Sequence, residues 1–221
     1  MNPTLKEVFD RLYASYGPRH WWPAKSAFEV LVGAVLVQNT AWDNVTRAID
    51  QLRDEDLLEP HALDAVPLER LEELVRPAGY FRVKARRLHN LLEFLVGRYD
   101  GSLEAMFRTP LAELRESLLA VSGIGPETAD SILLYAGGLP TFVVDAYTHR
   151  VLARHAWIGF DADYYQIQEH FEGGLPQDVA LFNEYHALLV EVGKRHCRKH
   201  PRCEGCPLAE LLPAGGPREP D

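Results

Sequence analysis

The spacing of apolar residues constrains this chain more than any other feature. Phe28, Leu31, Val32, Val35 and Leu36 fall at i, i+3, i+4, i+7 and i+8, and Leu88, Leu91, Leu92, Leu95 and Val96 repeat the pattern. Residues so placed share one face of an α-helix and leave water together when that face packs. The same reading predicts helices near 4–15, 43–53, 67–75, 111–120, 127–136, 147–156, 163–171 and 177–194. The strand-like run is "TFVV" at 141–144, too short to build a sheet. The expected class is all-α, about ten short helices joined by Gly/Pro turns, with no internal repeat. A chain of 221 residues can form one large domain or two small lobes.

Composition narrows the partners. Hydrophobic residues make up 47% and charged residues 25%, an ordinary globular balance. No apolar run approaches the roughly 20 residues of a spanning helix, so no membrane partner is expected. The opening "MNPTLKEVFDRLY" is amphipathic and mixed in charge, unlike a signal peptide, and a cytoplasmic location is expected. The net charge of −9 argues mildly against a nucleic-acid partner, but two basic runs are dense: "RVKARR" at 82–87 and "KRHCRKHPR" at 194–202. Each reads as a solvated helix face or as a patch facing phosphate. No exposed apolar stripe asks for a second copy, so a monomer is expected. The last nine residues, "PAGGPREPD", read as a disordered tail.

The most specific local signal is "LAELRESLLA-VSGIG-PETADSILLYA". Both flanks are helical. Gly123 and Gly125, on either side of Ile124, permit backbone angles that other residues resist. Pro126 suits the first helical position, and Glu127 suits the first turn against the helix dipole. The product is a helix–hairpin–helix. Its bend presents backbone N–H groups at a helix N-terminus, a setting that suits a phosphate oxygen and needs few lysines. A plain corner of the core is the alternative.

Asp145 follows the apolar "FVV" and precedes "AYTHRVLAR", an apparent helix. Aspartate is among the best N-caps. A carboxylate fixed at a helix mouth also suits cleavage of an N-glycosidic bond, where positive charge develops on the sugar. The two roles are compatible, because a capping geometry fixes the carboxylate's aim.

The hairpin followed by this aspartate resembles the helix-hairpin-helix/Gly-Pro-Asp DNA glycosylases, the endonuclease III superfamily, over about residues 5–210. "FEVLVGAVLVQNTAWDNVTRAI" resembles the family segment with Gln-x-Thr, and "VRPAGYFRVKARRL" its Gly-aromatic-x-x-Lys-Ala stretch. The resemblance implies a two-lobed helical fold with a DNA cleft between the lobes. One lobe spans about 25–135, with the hairpin near 111–136; the other combines 1–24 with 136–210, and 211–221 is a tail. It implies double-stranded DNA containing a damaged base as partner, Asp145 as the catalytic carboxylate and 121–127 as the phosphate-binding hairpin. Gln38 and Tyr80 match positions that enter the duplex where the base has been flipped out.

Endonuclease III carries a lysine two residues after the second hairpin glycine, and that lysine attacks the sugar as a Schiff-base nucleophile. Here the position is Glu127, which cannot do so, and a monofunctional glycosylase is expected. "WWP" before the Gln-x-Thr helix, "GIGPETADSILLYA" and "VVDAYTHR" resemble the third bacterial type of 3-methyladenine DNA glycosylase. In that group aromatics at the positions of Trp21 and Trp42 line the base pocket. Trp22 lies between them in the sequence, and core packing is the alternative for each. A cationic methylated purine would gain from stacking on such rings. Removal of an oxidised or mismatched base, or DNA binding without catalysis, are the other functions this pattern allows.

The cysteines lie together at Cys197, Cys203 and Cys206. An odd, clustered count argues against a disulfide framework. Endonuclease III ends in C-x6-C-x2-C-x5-C around an iron–sulfur cluster, whereas this chain has C-x5-C-x2-C and Leu212 at the fourth position. Three thiolates with His196 or His200 could hold a [4Fe–4S] cluster or zinc. The alternative is a loop that folds without metal. The hydrolytic chemistry requires neither.

Overall fold

The computed structural model describes residues 3–220; Met1, Asn2 and Asp221, the ends of the expected lobe and tail, lie outside the described residues. In chain order the α-helices are α1 (Leu5–Tyr16), α2 (Ala27–Leu36), α3 (Trp42–Asp54), α4 (Pro60–Asp64), α5 (Leu68–Leu74), α6 (Phe81–Tyr99), α7 (Leu103–Phe107), α8 (Leu111–Leu119), α9 (Pro126–Ser131), α10 (Ala146–Arg154), α11 (Tyr164–Gly174) and α12 (Val179–Arg195). No strand occurs among the described residues, and none of their helices is long and apolar enough to cross a membrane. The chain divides into two compact units, one of residues 22–139 and one of 1–21 with 140–221.

In the 22–139 unit the core forms around α2. Its residues 28–36 are all buried, so this helix is apolar around its whole circumference rather than along a stripe. Ser26 caps it, accepting from the Glu29 N–H at 3.1 Å. Glu29, buried among these residues, is neutralised by Arg53 at 3.0 Å. Leu88, Leu91, Leu92 and Leu95 of α6 bury the stripe expected of them, and the helix extends well past it on both sides. Two five-residue helices, α4 and α7, were not expected; each is one turn long, started by Pro60 and by the Ser102 cap respectively. The helix expected over 127–136 changes character: α9 ends at Ser131 and a π-helical turn covers Ile132–Ala136.

In the other unit α10 packs on α12, and α1 packs on α12. The first contact is close because a Cβ on Gly193 would stand 2.5 Å from Tyr147 Cδ1. The run 141–144 has no regular secondary structure and pairs with no strand among the described residues. Its backbone is satisfied instead by α11: Glu172 Oε1 accepts from the Phe142 N–H at 2.7 Å, and Gln168 Nε2 donates to Phe142 O at 2.8 Å. Phe142 stacks on Phe171 at 3.9 Å between centroids. The segment leading into Asp145 is therefore clamped. The tail is also tied down, contrary to expectation. The Arg218 N–H donates to Arg154 O at 2.9 Å, and Glu219 pairs with the Arg154 guanidinium at 3.0 Å.

Candidate active site

The hairpin is built as its sequence requires. Val121 and Ile124 anchor it in the core, and the Ile124 N–H donates to Val121 O at 3.0 Å. Gly123 has φ +94°, and a Cβ there would fall 2.3 Å from Arg87 Cγ, so both backbone angle and space demand glycine. Gly125 has an ordinary φ of −92°, with nothing within 4 Å of where its Cβ would stand. Its absent side chain leaves the surface of the bend open. The arms are locked by a bidentate pair: Arg115 Nε and Nη2 donate to the two oxygens of fully buried Asp130 at 2.7 and 2.8 Å. Glu127 is exposed in the first turn of α9.

Helix α6 braces this bend. Arg87 donates to Gln38 Oε1, and Asn90 Nδ2 donates to Ser122 O at 3.0 Å. Gln38 Nε2 donates to Thr128 Oγ1 at 2.9 Å and to Gly123 O at 3.3 Å. Gln38 is thus held on the hairpin. Tyr80 is placed differently. It is 74% exposed and sits in the left-handed region, φ 47°, immediately before α6. The basic run 82–87 is not uniformly a surface patch, because Lys84 is buried. Its ammonium donates to Leu36 O at 2.9 Å and Ala78 O at 2.8 Å, two residues before Gln38 and Tyr80 respectively. Burial, with Arg87 nearby, lowers the Lys84 pKa to about 8.

Trp22 and Trp42 meet edge to face, with centroids 5.0 Å apart, over the α2 surface at Gly33. Both line a cleft of ≈ 370 Å³ that is also lined by Lys25, Glu29 and Arg53. Tyr135 joins this cluster at 5.2 Å from Trp22, delivered by the π-helical turn. Trp21 belongs to the other unit, where Lys194 Nζ lies 5.7 Å from its ring centroid.

Asp145 is the N-cap of α10. Its Oδ1 accepts the Thr148 N–H at 2.7 Å, and only 12% of the side chain is exposed. Its Oδ2 faces His186 Nε2 at 3.7 Å. His186 comes from the middle of α12 and is buried. Desolvation lowers its pKa, opposed by Asp145 and reinforced by Lys194, which favours the neutral imidazole. Sequence reasoning passed over His186, Lys84 and Tyr135. Lys84 lies in the Lys-Ala stretch and Tyr135 in the segment after the hairpin, neither with a role legible there, and His186 lies in no motif; each makes its contacts with residues distant in the chain.

The cysteine loop does not fit a four-iron cluster. Cys197, Cys203 and Cys206 line a cavity of ≈ 10 Å³ together with Arg154 and Leu212, room for about one water-sized sphere. Among the described residues no three His, Cys, Asp or Glu are placed to hold a metal ion. His196 Nδ1 lies 3.0 Å from Arg202 O, and His200 is exposed. Burial raises the Cys203 and Cys206 thiols. The space is organised by the Arg154 guanidinium, which sits 3.6 Å from Cys197 Sγ, donates to Arg198 O and donates to Lys199 O at 3.0 Å.

A profile of the HhH-GPD superfamily of base excision DNA repair proteins matches residues 32–177. The chain belongs to that superfamily. It is 48% identical over 209 residues to a Methanocaldococcus jannaschii protein provisionally named a DNA repair glycosylase, covering 94% of each. An endonuclease III trapped as a covalent intermediate with DNA superposes with a TM-score of 0.80 at 26% identity, over 94% of this chain and 93% of that one. A 3-methyladenine DNA glycosylase of H. pylori bound to 1,N6-ethenoadenine gives 0.77 at 28% identity, over 87% and 98%. The family makes this chain a base excision repair DNA glycosylase with an endonuclease III-like fold.

Proposed function

We propose that this HhH-GPD protein is a monofunctional glycosylase that removes an alkylated purine, such as 3-methyladenine, from duplex DNA. The observation that carries the reading is Asp145. One of its oxygens is held by the helix cap, which places the carboxylate at the mouth of α10, and the side chain keeps a small exposed surface. As the C1′–N bond lengthens, positive charge grows on the sugar. A fixed carboxylate stabilises that charge without reorganising. Water then adds at C1′, its proton passes to solvent or to the carboxylate, and the base leaves with the bonding pair.

The open hairpin and its braced glycines support phosphate binding through backbone donors. Exposed Tyr80 and hairpin-bound Gln38 are the duplex-inserting residues of this reading, and Gln38 must leave the hairpin to take that part. The Trp22–Trp42 pair supports an aromatic, cation-tolerant base site. An N3-methylated adenine is cationic in the nucleotide and departs neutral, so the chemistry asks little beyond one carboxylate. Glu127 supports base release without strand cleavage. The test is chromatography of methylated duplex DNA incubated with the protein. Free 3-methyladenine should appear while the strand stays intact until alkali is added. Efficient nicking with a borohydride-trapped protein–DNA adduct would contradict the monofunctional reading.

A further inference from the structure

We propose that His186 is the positioning residue for the Asp145 carboxylate, facing Oδ2 from α12 while the Thr148 N–H holds Oδ1. The inference rests on the reading of Asp145 as the reacting carboxylate.

The physical need is plain. A carboxylate held through one oxygen can still swing, because the terminal torsion of aspartate is broad. A second contact, from a different helix, fixes the plane of the group. Helix α12 is well placed to give it. Gly193 lets α10 and α12 approach closely. Tyr185, next to His186 in sequence, is fully buried, donates to Leu5 O at 2.9 Å and packs on Phe142 and Phe171. His186 therefore rides on an immobilised stretch of helix.

The state of the imidazole matters as much as its place. The charged groups bearing on it are Asp145 from the start of α10 and Lys194 on α12. Burial favours the uncharged ring. A protonated His186 would pair with Asp145 and cancel the negative potential that the developing sugar cation needs. An uncharged ring with its proton on Nε2 can orient Oδ2 and leave the carboxylate its charge. At 3.7 Å the contact is longer than a hydrogen bond. It closes in the reacting complex, as catalytic contacts commonly tighten on substrate binding.

The test compares single-turnover base release from methylated duplex DNA, affinity for abasic duplex, and melting temperature. The variants are His186→Phe, which fills the space without an N–H; His186→Gln, whose amide N–H reaches about as far as Nε2; Asp145→Asn; and the Asp145→Asn/His186→Phe pair. His186→Phe should melt like wild type, bind abasic DNA within about threefold, and release base about 10- to 100-fold more slowly. His186→Gln should recover most of that rate. The double variant should be no slower than Asp145→Asn alone, because the histidine acts through the aspartate. If His186→Phe releases base at the wild-type rate while Asp145→Asn does not, this inference falls and the proposed function stands. Equal slowing of the Phe and Gln variants, with lost DNA affinity or a lowered melting temperature, also overturns it in favour of a packing role. If Asp145→Asn is as fast as wild type, or wild type releases no methylated base, the proposed function falls first and takes this inference with it.

Discussion

The hairpin and the cysteine loop are both turns that follow a helix, and both correspond to hallmarks of the endonuclease III superfamily. They have fared differently. The hairpin works through backbone and absent side chains, so it needs only Gly123, an open position at Gly125 and sound bracing. All are present. The cysteine loop depends on side chains brought to one point, and among the described residues no three His, Cys, Asp or Glu are assembled to hold a metal ion. With Leu212 at the fourth position, the three remaining thiols surround a tiny cavity. The loop is fastened instead by Arg154, which gathers two loop carbonyls, Cys197 Sγ and the Glu219 carboxylate. The lesson is that a site made of backbone tolerates drift around it.

That contrast can be broken at several points. The largest effect is expected at Arg154→Leu. Removing the guanidinium takes the donor from the Arg198 and Lys199 carbonyls and unties the tail, at a cost of about 2–4 kcal/mol in chemical denaturation, with early proteolysis within 197–206. A stability loss below about 0.5 kcal/mol would show that something else holds the loop. Next comes Gly123→Ala. It strains a positive φ and drives a methyl into Arg87, which also releases Gln38. A loss of about 1–2 kcal/mol in stability and roughly tenfold in DNA affinity is expected from titrations of abasic duplex. The smallest effect is expected at Cys206→Ser. If Arg154 is what fastens the loop, the change should cost under about 1 kcal/mol and leave base release unaltered. A collapse of the loop with loss of iron or zinc from the purified protein would reverse the comparison.

Much of this was legible in the sequence, and what was not has physical reasons. The apolar spacing marks α2 and α6 because long helices repeat a pattern several times. Helices α4 and α7 are one turn each and repeat nothing. Gly-Ile-Gly-Pro marks the hairpin because its constraint is local. The π-helical turn at 132–136 is invisible to a 3.6-residue period, so Tyr135 could not be placed beside Trp22. The run 141–144 reads as a strand but forms none, and side chains of α11 take the place of a partner strand. Asp145 was legible as a cap. Its neighbour His186 lies on another helix, and no sequence spacing announces that contact. The tail reads as disordered from composition, yet one buried arginine suffices to hold it.

The central claim is that Asp145 breaks the glycosidic bond. The most direct test is single-turnover release of 3-methyladenine from methylated duplex DNA by wild type and by Asp145→Asn, with abasic-DNA affinity measured alongside. The account predicts a loss of at least about 10²-fold in release with binding retained. Release by Asp145→Asn at the wild-type rate would contradict it.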